Sequence, residues 1–144
     1  MGKTTASKIL NGSNLNSIVF EELTPTQQLG IIKLRGLEND MDKKRFIEMM
    51  VEGNQDITHL CPKLINLTDC SRLLHCTLDE FRHFNQDISR WDMSDVTDVS
   101  EMLWACRNFD QDISGWNFKS VTKVTGFLAL VPLRPEYRPS FIGY

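Results

Sequence analysis

The chain has 144 residues, 41% of them apolar and 24% charged, with 16 Lys and Arg against 19 Asp and Glu for a net charge of −3. That length supports one domain with a real core. The charge lacks the basic excess that nucleic acid demands, and no apolar run reaches the length of a membrane span.

Residues 1–23 are polar, with one apolar patch at Ile18-Val19-Phe20, and read as a flexible arm. The start, Met1-Gly2-Lys3-Thr4-Thr5-Ala6, has no apolar stretch of the secretory kind. Ala6 stands where a myristoylation signal wants Ser or Thr. Gly2-Lys3-Thr4 lacks the strand and the earlier glycine of a phosphate-binding loop. Without a secretory signal, the four cysteines are expected to be reduced thiols, in an intracellular setting or within a large particle.

Residues 24–53 predict a helical cap. Thr24-Pro25 opens a first helix, with Thr as the cap and Pro at the first helical position. Leu29, Ile32 and Lys33 follow at helical spacing, and Gly36 weakens or ends the segment. Asn39 or Asp40 starts a second helix, and Gly53 stops it. Phe46, Ile47, Met50 and Val51 form its apolar stripe. The basic cluster Lys33, Arg35, Lys43, Lys44 and Arg45 reads as a solvated helix face.

Residues 54–131 repeat. Phe84-Asn85-Gln86-Asp87-Ile88-Ser89-Arg90-Trp91 returns as Phe109-Asp110-Gln111-Asp112-Ile113-Ser114-Gly115-Trp116, with a period of about 25 residues. The register persists from Val96-Thr97 to Val121-Thr122, from Val99 to Val124 and from Met102 to Phe127. A degraded first copy runs from Asp56-Ile57 to Leu73-Leu74, with a length difference near Lys63–Asn66. A fixed period of this size predicts a stack in which each unit buries its apolar face only against its neighbours. The expected core is Ile57, Leu60, Ile88, Trp91, Val96, Val99, Met102, Phe109, Ile113, Trp116, Val121, Val124 and Phe127. Trp91-Asp92-Met93 reads as a short strand alternating inside and outside, and Ser100 as the start of a helical turn carrying Met102, Leu103 and Cys106. Thr68, Thr97 and Thr122 are expected to cap the turns that follow them.

The repeated carboxylates Asp87 and Asp112 resemble a catalytic pair, but their repetition marks them as architectural. His59, Cys61, Cys70, His75, Cys76 and His83 lack the paired spacing of a zinc knuckle. Cys76 and Cys106 fall at matching repeat positions, as buried apolar residues do. No catalytic constellation, metal or cofactor is expected.

Residues 132–144 are a proline-spaced tail bearing Tyr137, Phe141 and Tyr144, which either caps the last repeat or docks on a neighbour.

The string Phe-Asn-Gln-Asp-Ile-Ser-x-Trp-Asp-x-Ser-x-Val-Thr-x-Val-Ser-x-Met from Phe84, followed by Cys106 and Phe109, resembles the BspA-type leucine-rich repeats. These occur in surface proteins and lipoproteins of bacteria and mycoplasmas, and in some protists and large DNA viruses. The resemblance covers residues 54–131 and implies curved coils with a short strand on the concave face, protein binding or adhesion, and no enzymatic activity. The expected fold is therefore an α/β repeat solenoid, a three-coil leucine-rich-repeat stack with a helical N-terminal cap. The expected function is a non-enzymatic protein-binding or structural subunit of a larger assembly, with other protein subunits rather than small molecules as partners. Its expected contacts are the concave positions His59, Arg90, Asp92, Gly115 and Asn117, with Tyr137, Phe141 and Tyr144 of the tail. An adhesin-like surface binder is the alternative; a zinc-stabilised or enzymatic domain is the third.

Overall fold

A computed structural model describes residues 18–76 and 83–140. The expected contact residues Phe141 and Tyr144, and most of the expected N-terminal arm, lie outside these residues. Phe20–Glu22 form a 310 turn, followed by α1 (Pro25–Arg35) and α2 (Asp40–Glu52). Thr24 caps α1 in a reciprocal capping box with Gln27, and Asn39 caps α2 through the Asp42 N–H. Gly36 and Gly53 end the two helices. α1 buries Ile31 and Leu34, not the expected face, so Leu29 and Ile32 are exposed. α2 buries Ile47 and Val51, with Phe46 and Met50 partly covered.

The α/β leucine-rich-repeat solenoid is not what the chain forms. Among the described residues there is no strand; the β-pairing between coils is limited to two isolated parallel bridges, Asp69–Asp98 and Asp98–Lys123. Nor does Ser100 start a helical turn. Two backbone features explain both corrections. Arg72, Glu101 and Gly126, at matching repeat positions, all take positive φ (58°, 54° and 70°), as do Ala105 and Leu130. These left-handed residues interrupt extended or helical backbone. The chain runs instead as successive tight turns, with Leu73, Met102 and Phe127 each donating to the carbonyl three residues back. The Trp91-Asp92-Met93 alternation also fails, because all three residues are buried.

These turn-built coils nonetheless stack in the repeat register. Cys70, Arg72, Leu74 and Cys76 of the first coil donate their N–H groups to Asp98, Ser100, Met102 and Trp104 of the second, each at 2.9 Å. The second coil binds the third in the same way. Equivalent side chains form buried rungs: Ile57, Ile88 and Ile113; Leu60, Trp91 and Trp116; Leu73, Met102 and Phe127. Val96, Val99, Phe109 and Val121 are buried as expected, and Val124 is partly covered. Each fully buried large side chain contributes about 1.5–3 kcal/mol. The Trp91 and Trp116 rings lie parallel, 6.5 Å apart, and each indole N–H reaches back to the preceding coil, at Thr58 O and Ile88 O. The first coil has no coil before it and carries Leu60 at this position, with Gly30 of α1 packed beside it.

Candidate binding surface

The repeat consumes its own short polar side chains. Asp56, Asp69, Asp87, Asp92, Asp98 and Asp112 each accept from the N–H two residues on, as does Asn117. The Ser114 hydroxyl and N–H hold the Asp112 carboxyl below its ordinary range. Asp87 and Asp112 thus occupy the same turn-holding position in successive coils. The threonines link coils rather than cap turns: the Thr97 and Thr122 hydroxyls reach Thr68 O and Thr97 O, and Thr68 donates to Asp40 of α2.

The six expected concave and tail positions within the described residues divide into two groups. Arg90, Gly115 and Asn117 are exposed, and Tyr137 is half-buried. His59 and Asp92 are buried and present no contact side chain to a partner. The Asp92 backbone N–H donates to Cys61 Sγ at 3.0 Å, and its carboxylate faces Lys63 Nζ across 3.8 Å. His59 lies beneath Gly30, with Nδ1 unpartnered.

Burial lowers the pKa of His59 from its ordinary 6.5. The unfolded chain takes up that proton near the ordinary value. The stability contributed by neutral His59 is therefore complete above about pH 6.5 and is lost as pH falls toward the lower folded pKa. Burial and the Arg72 charge shift His75 in the same direction. Urea unfolding midpoints should drop between about pH 7 and about pH 5, above the carboxylate range. His59→Leu should flatten that slope; an unchanged slope would remove His59 as the cause.

The expectation of four reduced thiols fails at Cys76 and Cys106, which form a disulfide joining the matching positions of successive coils. Cys61 and Cys70 are buried free thiols whose pKa values burial pushes up. Among the described residues, no three His, Cys, Asp or Glu side chains are placed to share a metal ion.

Both ends of the stack are dressed. At the first coil, α2 supplies lysines to backbone carbonyls: Lys43 Nζ to Asn66 O and Lys44 Nζ to Ser71 O, each at 3.0 Å. At the third coil, the tail folds back. The Ile113 N–H donates to Tyr137 O, where the equivalent Ile57 N–H uses the Gln86 side chain of the next coil. Arg134 pairs with Asp110 at 2.9 Å and lies over the Tyr137 ring. Leu133 is 1% exposed. Leu133→Ala should cost about 2–3 kcal/mol in urea unfolding, through lost burial and the cavity left behind. A cost near zero would show that this part of the tail does not cap the stack.

The structure defines a class: a short stack of turn-built repeat coils closed at its N-terminal end by a helix pair. The chain belongs to the family described as "Mycoplasma protein of unknown function, DUF285", whose family model matches residues 45–131. That match begins within α2 and covers all three coils. No curated protein and no solved structure is found to match the chain.

Proposed function

We propose that this protein is a non-enzymatic binding or structural subunit of a larger assembly, making its contacts through the coil stack and its tail. The observation that carries this reading is the use of the repeated carboxylates. Each one holds its own turn, so the most regular polar residues of the chain build a surface rather than a reaction centre. Exposed Arg90 and Gly115, with Asn117 that also holds its own turn, are the contact positions. Sedimentation of the native protein from gentle lysate, with mass-spectrometric detection, tests the reading. Migration in a large particle supports it, and migration as a lone chain refutes it.

One observation favours a second reading, an adhesin-like binder that works outside the cell. The Cys76–Cys106 disulfide is the chemistry of an oxidising setting. Removal of the protein from intact cells by added protease would support that reading. Full resistance, followed by digestion after lysis, would refute it.

A further inference from the structure

The third coil ends in an edge that is unpaired among the described residues. The carbonyls of Lys123, Thr125, Phe127 and Ala129 all face the second coil, accepting from Val99, Glu101, Leu103 and Ala105 at 2.8–3.1 Å. A trans peptide sets each carbonyl opposite the following N–H. The N–H groups of Val124, Gly126, Leu128 and Leu130 therefore point away from the stack. Their counterparts in the first and second coils all donate to a carbonyl of the next coil. Among the described residues, these four meet no acceptor. The Thr122 carbonyl completes the row: Thr68 O and Thr97 O each accept an N–H from the next coil at 2.8 Å, and among the described residues Thr122 O has no such donor. The described part of the tail, to residue 140, makes no hydrogen bond to this row. Beside it lies a hollow of about 430 Å3 lined by residues 124–129 and Arg138. The Arg138 Nε is held by Leu133 O at 3.0 Å.

Charge agrees with this polarity. At each coil junction four bonds run in one sense, against the reversed bond of the Thr97 or Thr122 N–H, so their dipoles leave a net carbonyl end at the first coil and an N–H end at the third. Lys44 sits at the carbonyl end. The opposite end calls for acceptors.

We propose that the 122–130 edge binds a segment of another polypeptide by backbone addition. The segment is a turn-built coil of the same kind, lying parallel to the third coil and offering a carbonyl at every second residue. A simple anion does not fit an edge that interleaves an acceptor with four spaced donors. A second copy of this chain fits less well, because Lys44 already occupies Ser71 O, the first-coil counterpart of Thr125 O. The inference rests on the binding role proposed above and narrows it to one surface.

The test uses the full-length, isotope-labelled chain and a synthetic peptide of residues 107–131, one uncapped coil of this sequence. Amide hydrogen exchange at Val124, Gly126, Leu128 and Leu130 should slow about tenfold or more with peptide. Val124→Pro, which deletes one donor next to the extended Lys123, should weaken peptide binding about tenfold. A chain with residues 107–131 duplicated after Val131 supplies the fourth coil covalently and should protect the same four amides. Unchanged exchange in both experiments would overturn the proposal. Protection by inorganic phosphate alone would make the edge an anion site, and protection on concentrating the chain alone would assign it to a second copy; either result overturns it. A chain that sediments in a large particle, with every cross-link far from 122–130, would refute this surface and leave the binding role standing. Peptide protection in a chain that sediments alone would keep the surface and refute the assembly role.

Discussion

Trp91→Ala should destabilise the chain by about 4 kcal/mol, read as a fall in the urea midpoint at unchanged slope. Trp91 is fully buried and stacked on Trp116, and its indole N–H is the donor to Thr58 O. Alanine opens a cavity at the centre of the stack and strips that carbonyl of its partner. The two losses separate by chemistry. Trp91→Phe keeps most of the ring contact and loses the hydrogen bond, and should cost about 1–2 kcal/mol. Equal costs for the two variants would mean that the bond to Thr58, rather than the buried ring, carries the contribution of Trp91.

Loss of the Cys76–Cys106 disulfide should cost about 3–4 kcal/mol. The bond closes a loop with a sequence separation of 30, and the chain-entropy relation for a loop of that size gives this magnitude. Cys106→Ser should show the loss in oxidising buffer, and the native chain should show it on adding reductant. The variant itself should then no longer respond to reductant. A native chain equally stable in both buffers would overturn the prediction. The bond also spans residues 77–82, where the degraded first copy departs most from the repeat, so it fixes coil register where sequence similarity is weakest.

Part of this architecture was legible in the sequence. The repeat placed Ile88 with Ile113 and Trp91 with Trp116, because burial follows side-chain chemistry and the period sets which residues align. Thr24-Pro25, Asn39 and Gly53 marked helix ends, since capping depends on a few adjacent residues. The face of α1 was misread: Leu29 and Ile32 match Ile31 and Leu34 in hydrophobicity, and only the position of the first coil chooses between them. Of the expected contact positions, Arg90, Gly115 and Asn117 are exposed, whereas His59 and Asp92 are buried. Alternation needs extended backbone, and Asp92 instead turns the chain over Ser94.

The repeat period, the rung residues and the helix caps were set by the sequence alone, because each depends on residue type and local spacing. The absence of strands among the described residues, the inter-coil hydrogen bonds, the disulfide and the folded-back tail were decided by the tertiary structure. Arg72 and Glu101 carry no local signal for positive φ; only Gly126, at the same position in the third copy, hints at it. Cys76 and Cys106 stand at matching positions in sequence, but only stacking brings their Cα atoms within 5.1 Å, where a disulfide can form. The tail caps the stack because the third coil offers the Ile113 N–H and the Asp110 carboxylate to Tyr137 and Arg134, partners that exist only once the coils have stacked.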